Sequence, residues 1–583
     1  MWTQNYDPLG QIGLSALVAA IPIFFLAWAL GIKRMKGHLA AFWTLILTLV
    51  ITTLLYKMPI KLSLLSIFDG MLYGLFPICW IVVTALFLYN LTVKTGQFEI
   101  VKDSIAAITS DRRLQALLIG FSFGAFLEGA AGFGAPVAIT AAMLVGLGFN
   151  PLYAAVLCLV ANTSPVAFGS LGIPILVGGQ VSGIDAMAIS KMVGRQLPFL
   201  SVLVPGFLVT IMSGFSGLVE VLPAVIVCGV SFALSQWFTS NYLTPMLPDI
   251  ISAFVSIICL VLFLKVWKPK TIWRFPGEEE TDRVVKRHSP WTVFRAWTPF
   301  IILTLLIGCW GVKPVNGLLG FVTLKFPILG LHGNVIAPDT LTPMDATFSF
   351  NWLSAGGTAI LIAAIISAII LRVPIADIWK IFKDTVKDLK FALLTIMLVL
   401  GFAYLANFSG LSKTLGLALT YTGSIYPFLA SFIGWIGVFI TGSDTSSNAL
   451  FAKLQSVAAN NLGINPVLPV ASNSAGAVAA KMISPQSIAV ATASVGLVGK
   501  EGELFRRTIL YSILFAAFIG VLSFIQAHYL QWMIPECVMA ETAAETAINA
   551  GTGLAILGGI MIAVIILGLL SNKGREPETA NVK

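Results

Sequence analysis

The stretch FLEGAAGFGAP at residues 126–136 has a counterpart in the second half of the chain, FITGSDTSSNALF at residues 439–451. Both stretches are apolar but are interrupted by glycines and by polar or charged side chains. Their surroundings repeat at nearly constant separations: 314 residues between Gly96 and Gly410, 313 between Gly129 and Gly442, 315 between Gly148 and Gly463, and 311 between Asn162 and Asn473. These offsets indicate an internal duplication. Glycine-interrupted hydrophobic segments at matching places in two halves are typical of the binding region of a secondary transporter.

The composition of the 583 residues indicates that lipid is the solvent for most of the chain. Hydrophobic residues make up 57% and charged residues 10%, and the mean hydropathy is +0.93, whereas soluble domains carry about 25% charged residues. We therefore predict an all-α polytopic membrane protein. Segments that approach the ~20 apolar residues needed to cross a bilayer lie at 12–30, 39–56, 71–91, 197–215, 219–238, 250–266, 297–310, 353–371, 391–408, 425–441, 509–529 and 552–570.

The net charge of +9 comes from lysines and arginines that cluster in short loops between the candidate spans. Such loops are cytoplasmic by the positive-inside rule, so the charge is explained without a nucleic-acid partner. Counting spans from these loops places the N-terminus outside, the C-terminus in the cytoplasm, Gly96 inside and Gly410 outside. The two copies then enter the membrane from opposite faces. This predicts inverted repeats with broken, re-entrant helical hairpins and alternating access to one site.

The residue types that other functions need are scattered or missing. The six cysteines and four histidines show no ligand spacing, so we expect no metal site, no disulfide framework and no cofactor. The chain has no Gly-Lys-Ser or Gly-Lys-Thr and hence no phosphate-binding loop of a primary pump. The sequence contains no pattern of nucleophile and base that would predict an enzyme. A carboxylate channel and a membrane-embedded enzyme remain as alternatives, which a counterflow assay and product analysis would separate from a carrier.

Two carboxylates, Glu128 and Asp444, lie within the interrupted stretches. An ionised carboxylate at the bilayer centre costs roughly 3 kcal/mol, so we predict that they take part in proton coupling, with Asp444 the first candidate. Asp444 is followed within one helical turn by Ser446, Ser447 and Asn448, which supply hydroxyls and an amide. The alternative is that each carboxylate only caps the N-terminus of a half-helix.

A lysine in an apolar, alanine-rich run, Lys481, is the candidate for neutralising an anionic substrate, because its ammonium is a compact charge with three donors. The alternatives are a lysine that reaches the interface or one permanently paired with Asp444. We expect unwound turns at Asn162–Thr163 and at Asn473–Ser474, whose free amides suit a carboxylate. The predicted substrate-binding residues are Asn162, Thr163, Ser164, Ser446, Ser447, Asn448, Asn473, Ser474, Lys481 and Gln486.

Three longer runs resemble the signatures of the bacterial lactate permease family, which includes lactate and glycolate permeases: EGAAGFGAP at 128–136, GSDTSSNALF at 442–451 and KMISPQSI at 481–488. QNYDP at 4–8 and GRQLP at 194–198 are similar as well, and the resemblance covers residues 2–534. It implies proton-coupled uptake of short 2-hydroxymonocarboxylates, such as lactate and glycolate, across the bacterial plasma (inner) membrane.

The resemblance also implies membership of the broader ion transporter superfamily. In the divalent anion symporters of that superfamily, Ser-Asn-Thr turns at paired hairpin tips bind carboxylate and sodium. The matching turns here, Asn162–Thr163 and Ser472–Asn473–Ser474, are an incomplete match. Sodium coupling therefore stays open as the alternative to proton coupling.

The duplication predicts an elevator-like transport core that moves against a scaffold within the lipid bilayer. A homodimer is left open. The predicted units are N-terminal scaffold helices at 1–93, the first core repeat at 94–196, scaffold helices at 197–408 with a cytoplasmic loop at 267–295, the second core repeat at 409–508, and C-terminal helices at 509–583 that include an additional span at 552–570.

Overall fold

Apolar helices make up most of the chain that the structure describes. The structure is a computed structural model, which describes residues 1–132, 134–275, 288–339 and 341–539. In these ranges nine helices are long and apolar enough to cross a membrane, or ten if a pair of helices with a 65° bend is counted as one further span. An all-α polytopic membrane protein is therefore confirmed. The predicted span at 552–570 lies outside the described residues.

The N-terminal helices present apolar side chains both to their neighbours and to the outside. Leu17, Phe24 and Leu54, for example, are exposed, which fits helices whose outer face meets hydrocarbon, a solvent as apolar as leucine itself. These helices are α1 (Ile12–Ala27), α2 (Gly37–Leu54), α3 (Ile60–Tyr73), α4 (Trp80–Lys94) and α5 (Gln97–Ala106).

The first copy begins with α5 and continues with short helices separated by two breaks: α6 (Arg112–Gln115), α7 (Gly124–Ala130), α8 (Ala135–Gly146), α9 (Pro151–Ala161), α10 (Gly169–Ser182) and α11 (Ala186–Val193). The first break follows α7, where Gly132 and Gly134 have positive φ. The second lies between α9 and α10 and extends into the first turn of α10, where Ser170, Leu171 and Gly172 are all left-handed. Because a left-handed non-glycine residue costs about 1–2 kcal/mol, the contacts around this second break must hold it in place.

The middle of the chain forms long helices and a polar connection. They are α12 (Leu197–Phe238), α13 (Pro248–Val266), α14 (Pro290–Gly311), α15 (Lys313–Leu319), α16 (Gly356–Ile370) and α17 (Ile375–Ser409). The backbone of α12 is not helical at Gly214, where φ is 70° and ψ is −173°. This glycine separates the two spans predicted at 197–215 and 219–238.

Two small sheets, which the sequence did not predict, form around the segment between α15 and α16. The strands are β1 (Trp2–Thr3), β2 (Leu324–Pro327), β3 (Val335–Ala337), β4 (Thr342–Pro343) and β5 (Thr347–Phe350). β1 pairs in parallel with β3, β3 pairs antiparallel with β4, and β2 pairs antiparallel with β5. The Gln4 side chain also donates to the carbonyl oxygens of Asn407 and Phe408 at the end of α17.

The second copy repeats the order of helices and breaks. Its helices are α18 (Leu411–Leu419), α19 (Tyr426–Thr441), α20 (Asp444–Asn461), α21 (Val467–Ala480) and α22 (Pro485–Ser494), and α23 (Glu501–His528) follows. The first break is at Gly442, which has a φ of 71°. The second is at Lys481–Ile483, a single 3₁₀ turn after α21, and the extended Ser484 follows it, as expected of a residue before proline.

The predicted unwound turn at Asn473–Ser474 is wrong, because both residues lie inside α21. Alanine is the commonest residue of this helix and has the highest helix propensity, so the backbone stays helical. The side chains of Asn473 and Ser474 form hydrogen bonds with the neighbouring helix α20. The predicted turn at Asn162–Thr163 is confirmed, since α9 ends at Ala161. In the packing of the two copies, α10 lies against α20 and α8 against α22, while α7 lies against α13.

Candidate transport site

The contact between α10 and α20 contains a buried carboxylate and an amide that join the two copies. Oδ2 of Asp444 accepts a hydrogen bond from the Ser474 hydroxyl at 2.7 Å. Nδ2 of Asn448 donates to the same hydroxyl at 3.2 Å and to the carbonyl oxygen of Pro174 at 3.0 Å. Three residues of the second copy are thus tied to the backbone of the first. All three side chains are at least 97% buried.

A chain of hydrogen bonds supports these residues from behind. Nδ2 of Asn473 donates to Oδ1 of Asn448 at 2.9 Å, and Nε2 of Gln455 donates to Oδ1 of Asn473 at 3.0 Å. The Tyr426 hydroxyl donates to Oε1 of Gln455 at 2.5 Å. The Ser447 hydroxyl donates to the carbonyl oxygen of Gly434 at 3.0 Å. A buried network of this kind fixes side-chain positions, and it leaves Oδ1 of Asp444 without a hydrogen-bond partner among the described residues.

Lys481 is 8% exposed and donates from Nζ to the carbonyl oxygen of Gly442 at 3.0 Å. Gly442 ends α19, and a cation is favourable at a helix C-terminus. Within the described residues Lys481 forms no ion pair within 4.0 Å, so the permanent pair with Asp444 that the sequence left open is not present. Its charge nevertheless lies within electrostatic range of both Asp444 and Glu128.

Two of the predicted binding residues, Ser446 and Gln486, stand apart from this network. Ser446 is half-buried, and its backbone N–H donates to the Ser443 hydroxyl at 3.3 Å. Gln486 is exposed near the start of α22 and lies beside Gly442. The structure brings Ser447, Asn448, Asn473 and Ser474 together but does not bring these two side chains into hydrogen-bonding contact with them.

The polar side chains of the first copy are buried but poorly partnered. Glu128 lies against Gly169, where an added Cβ would stand 2.7 Å from Oε1, and Asn162 lies close to this carboxylate. In the part of the chain that the structure describes, Oε2 of Glu128, Nδ2 of Asn162 and the hydroxyls of Thr163 and Ser164 have no hydrogen-bond partner. Such unsatisfied atoms are expensive in a membrane interior and mark functional positions.

A further buried carboxylate, Asp249, lies against Gly129, the residue after Glu128, and was missed by the sequence analysis. Asp249 is 1% exposed, and neither carboxylate oxygen has a hydrogen-bond partner among the residues described. A Cβ added to Gly129 would stand 2.8 Å from the Cβ of Asp249, so the glycine permits α7 to approach α13 this closely. The predicted span began at 250, which placed Asp249 at a boundary. Its position directly after Pro248 was the available signal of a helix start inside the protein.

An amide from α12 contacts the second break of the first copy and was also missed. Nε2 of Gln236 donates to the carbonyl oxygen of Ser164 at 3.0 Å, and its Oε1 accepts from the Ser201 hydroxyl at 2.8 Å. Gln236 is fully buried. It satisfies a backbone carbonyl in the turn that follows α9.

Residues 15–530 match the family model described as L-lactate permease. The chain belongs to the L-lactate permease family. It is 52% identical to the L-lactate permease of Bacillus subtilis (strain 168), over 92% of this chain and all of that protein. It is 51% identical to the L-lactate permease of Salmonella typhimurium (strain LT2), over 92% of this chain and all of that protein. It is 53% identical to the glycolate permease GlcA of Escherichia coli (strain K12), over 91% of this chain and 99% of that protein.

Membership of the L-lactate permease family fixes the class of this protein. It is a multi-pass membrane transporter and not an enzyme. The resemblance of the runs at 128–136, 442–451 and 481–488 is thereby confirmed, and all three runs lie at the breaks described above. Within the described residues no three His, Cys, Asp or Glu side chains lie together as they would around a metal ion.

Proposed function

We propose that this permease is a proton-coupled symporter that takes up short 2-hydroxymonocarboxylates, lactate and glycolate, across the bacterial plasma membrane. The names of its relatives support the substrate class. The observation that carries the proposal is the buried Asp444, bonded to Ser474 and within range of Lys481, at the contact between the two copies. A carboxylate and a cation at one buried position offer a proton site beside an anion site.

The energetics of the cell membrane explain the need for a proton. A monocarboxylate that enters a cell at about −100 mV is opposed by ~2.3 kcal/mol, and one co-transported proton cancels its charge. Asp444 carries this proton, with Glu128 as the second candidate. Lys481 and the hydroxyls of Thr163 and Ser164, which have no hydrogen-bond partner among the described residues, hold the substrate carboxylate.

The two copies supply the motion in this proposal. The repeats at 94–196 and 409–508 form the core, which moves against a scaffold built from 1–93 and 197–408 and exposes one site to each face in turn. The shared order of helices and breaks in the two copies supports this division. The hydrogen bond from Asn448 to Pro174 supports the movement of both copies as one unit.

The test is uptake of labelled lactate and glycolate into proteoliposomes. An inward proton gradient should drive accumulation above equilibrium, and a protonophore should abolish it. An inward sodium gradient at equal pH should drive none, and accumulation driven by sodium alone would contradict proton coupling. Counterflow of labelled against unlabelled substrate should be observed, since a channel does not show it.

A further inference from the structure

Asp249 and Glu128 are buried carboxylates on two helices in close contact, α13 and α7, where Gly129 lies against the Cβ of Asp249. They lie on different proposed units, because α7 belongs to the core and α13 to the scaffold. Asp249 is 1% and Glu128 4% exposed. Both Asp249 oxygens and Oε2 of Glu128 are without hydrogen-bond partners within the described ranges, as is the nearby Nδ2 of Asn162.

The neighbours of Asp249 leave Glu128 as the ionisable group that faces it. The elements packed most closely on α13 are α7, α10, α12 and residues 116–123 and 239–243. The acidic and basic residues on these elements are Glu128 and Glu220, and Glu220 pairs with Arg113 at 2.8 Å. Tyr242, the phenol among them, is 64% exposed. No cation therefore compensates Asp249 directly in this part of the structure.

The charges around the breaks of the two copies do not balance unless protons are bound. Glu128, Asp249 and Asp444 would contribute three negative charges there against the positive charge of Lys481, and a substrate carboxylate adds a fourth negative charge. A low-dielectric site cannot hold this excess, and groups in such a position bind protons instead.

We propose that Asp249 and Glu128 share a proton across the contact between α7 and α13, and that Asp249 is thereby a second proton-binding residue of the transport cycle. The inference rests on the proposed proton-coupled function. With the proton bound, a carboxyl O–H of one residue donates to a carboxylate oxygen of the other and holds core and scaffold together. When the proton leaves to the cytoplasm, two like charges face each other and repel, which favours separation of α7 from α13.

The test uses full-length Asp249→Asn in proteoliposomes. Asparagine has the size of aspartic acid and cannot release a proton, so it mimics the proton-loaded residue permanently. Acid-driven accumulation of lactate should fall at least about tenfold, whereas exchange of labelled for unlabelled lactate at equal pH should fall by less than about fivefold. The exchange rate should also depend less steeply on pH than in the wild type, because one of the groups that bind protons is lost while Asp444 remains.

Two further variants make the outcome decisive. Ser252→Ala, one turn along α13 and also buried without a partner, should leave both activities within about twofold of wild type. Asp249→Glu restores an ionisable group and should recover part of the accumulation. Acid-driven accumulation by Asp249→Asn at the wild-type level would overturn the inference, and so would loss of exchange, which would assign Asp249 to folding or substrate binding. Failure of wild type itself to respond to the proton gradient would overturn the proposed function instead.

Discussion

The two broken helical regions differ in how far their buried polar side chains are hydrogen-bonded within the protein. In the second copy Asp444, Asn448, Asn473 and Ser474 bond to one another. In the first copy Asn162, Thr163 and Ser164 keep polar atoms without partners among the described residues. The second copy thus builds its polar cluster during folding, whereas the first copy presents donors that folding has not used.

The second copy therefore contributes more to stability, whereas the first copy keeps groups that can bind a ligand. A hydrogen-bonded network resists substitution because removing one member leaves another without its partner. Unpartnered groups cost stability in the folded protein but are available to a ligand.

Asp444→Asn should have the largest effect, because it keeps the shape of the second-copy network but removes the group that binds and releases a proton. We expect acid-driven accumulation to fall at least about 100-fold while exchange at equal pH persists. Proteoliposome uptake with and without a pH gradient measures both. Asp377→Asn, at an exposed position in the first turn of α17, is the matched control and should accumulate normally. Normal accumulation by Asp444→Asn would remove it as the proton carrier.

Lys481→Gln should come next, because this cation lies within range of carboxylates of both copies. Loss of a charge-assisted hydrogen bond costs about 1.5–3 kcal/mol, so the apparent substrate constant should rise at least about tenfold. Lys481→Arg should be intermediate, since a planar fork differs from a point charge. The concentration dependence of exchange gives these constants. Lys500→Gln, at an exposed position, is the control. If Lys481→Gln keeps the wild-type apparent substrate constant, Lys481 has a structural role and does not bind the substrate.

Gly434→Ala should destabilise the protein through the second copy. An added methyl group would collide with the carbonyl oxygen of Asn473, and overpacking of this kind costs about 1–3 kcal/mol. Thermal unfolding of the purified protein in detergent should show a lower midpoint. Gly502→Ala, where the added methyl group meets open space, should leave the midpoint unchanged or raise it. An equal midpoint for both variants would show that this helix contact tolerates expansion.

Thr163→Val should have the smallest effect on stability. Its hydroxyl is fully buried without a partner in the described structure, and replacing such a group by a methyl group should change the free energy of unfolding by less than about 0.5 kcal/mol. The second-copy counterpart, Ser474→Ala, strands Asp444 and Asn448 and should cost about 1–3 kcal/mol. The same unfolding assay compares them. Equal costs would contradict the division between the two copies.

Much of the fold could be predicted from the sequence, because membrane spans and their interruptions are local signals. Gly132, Gly134 and Gly442 marked breaks that the structure contains. The break at Gly214 likewise divides two spans at the predicted place. The inverted relation of the copies and the core and scaffold units remain predictions, since they concern orientation and motion rather than local conformation.

The candidate site was predicted less completely, because it depends on which helices touch. Asn473 and Ser474 were chosen for an unwound turn, yet they meet Asp444 and Asn448 from inside an intact helix. Asp249 was overlooked because its partner is 121 residues away in the sequence. Helix packing brings it to Glu128, and no spacing rule along the chain records that contact.

The hydrogen bonds of the first residues of the chain determine how late this segment can fold. The backbone N–H of Gln4 donates to Ile336, its side chain reaches the end of α17, and the carbonyl oxygen of Tyr6 accepts from Thr414. At about 5–20 residues per second, the ribosome makes these partners roughly 15–80 s after the segment itself. The segment cannot form all of these hydrogen bonds until at least sixteen helices have been synthesised. The beginning of the sequence is thus among the last parts of the molecule to fold.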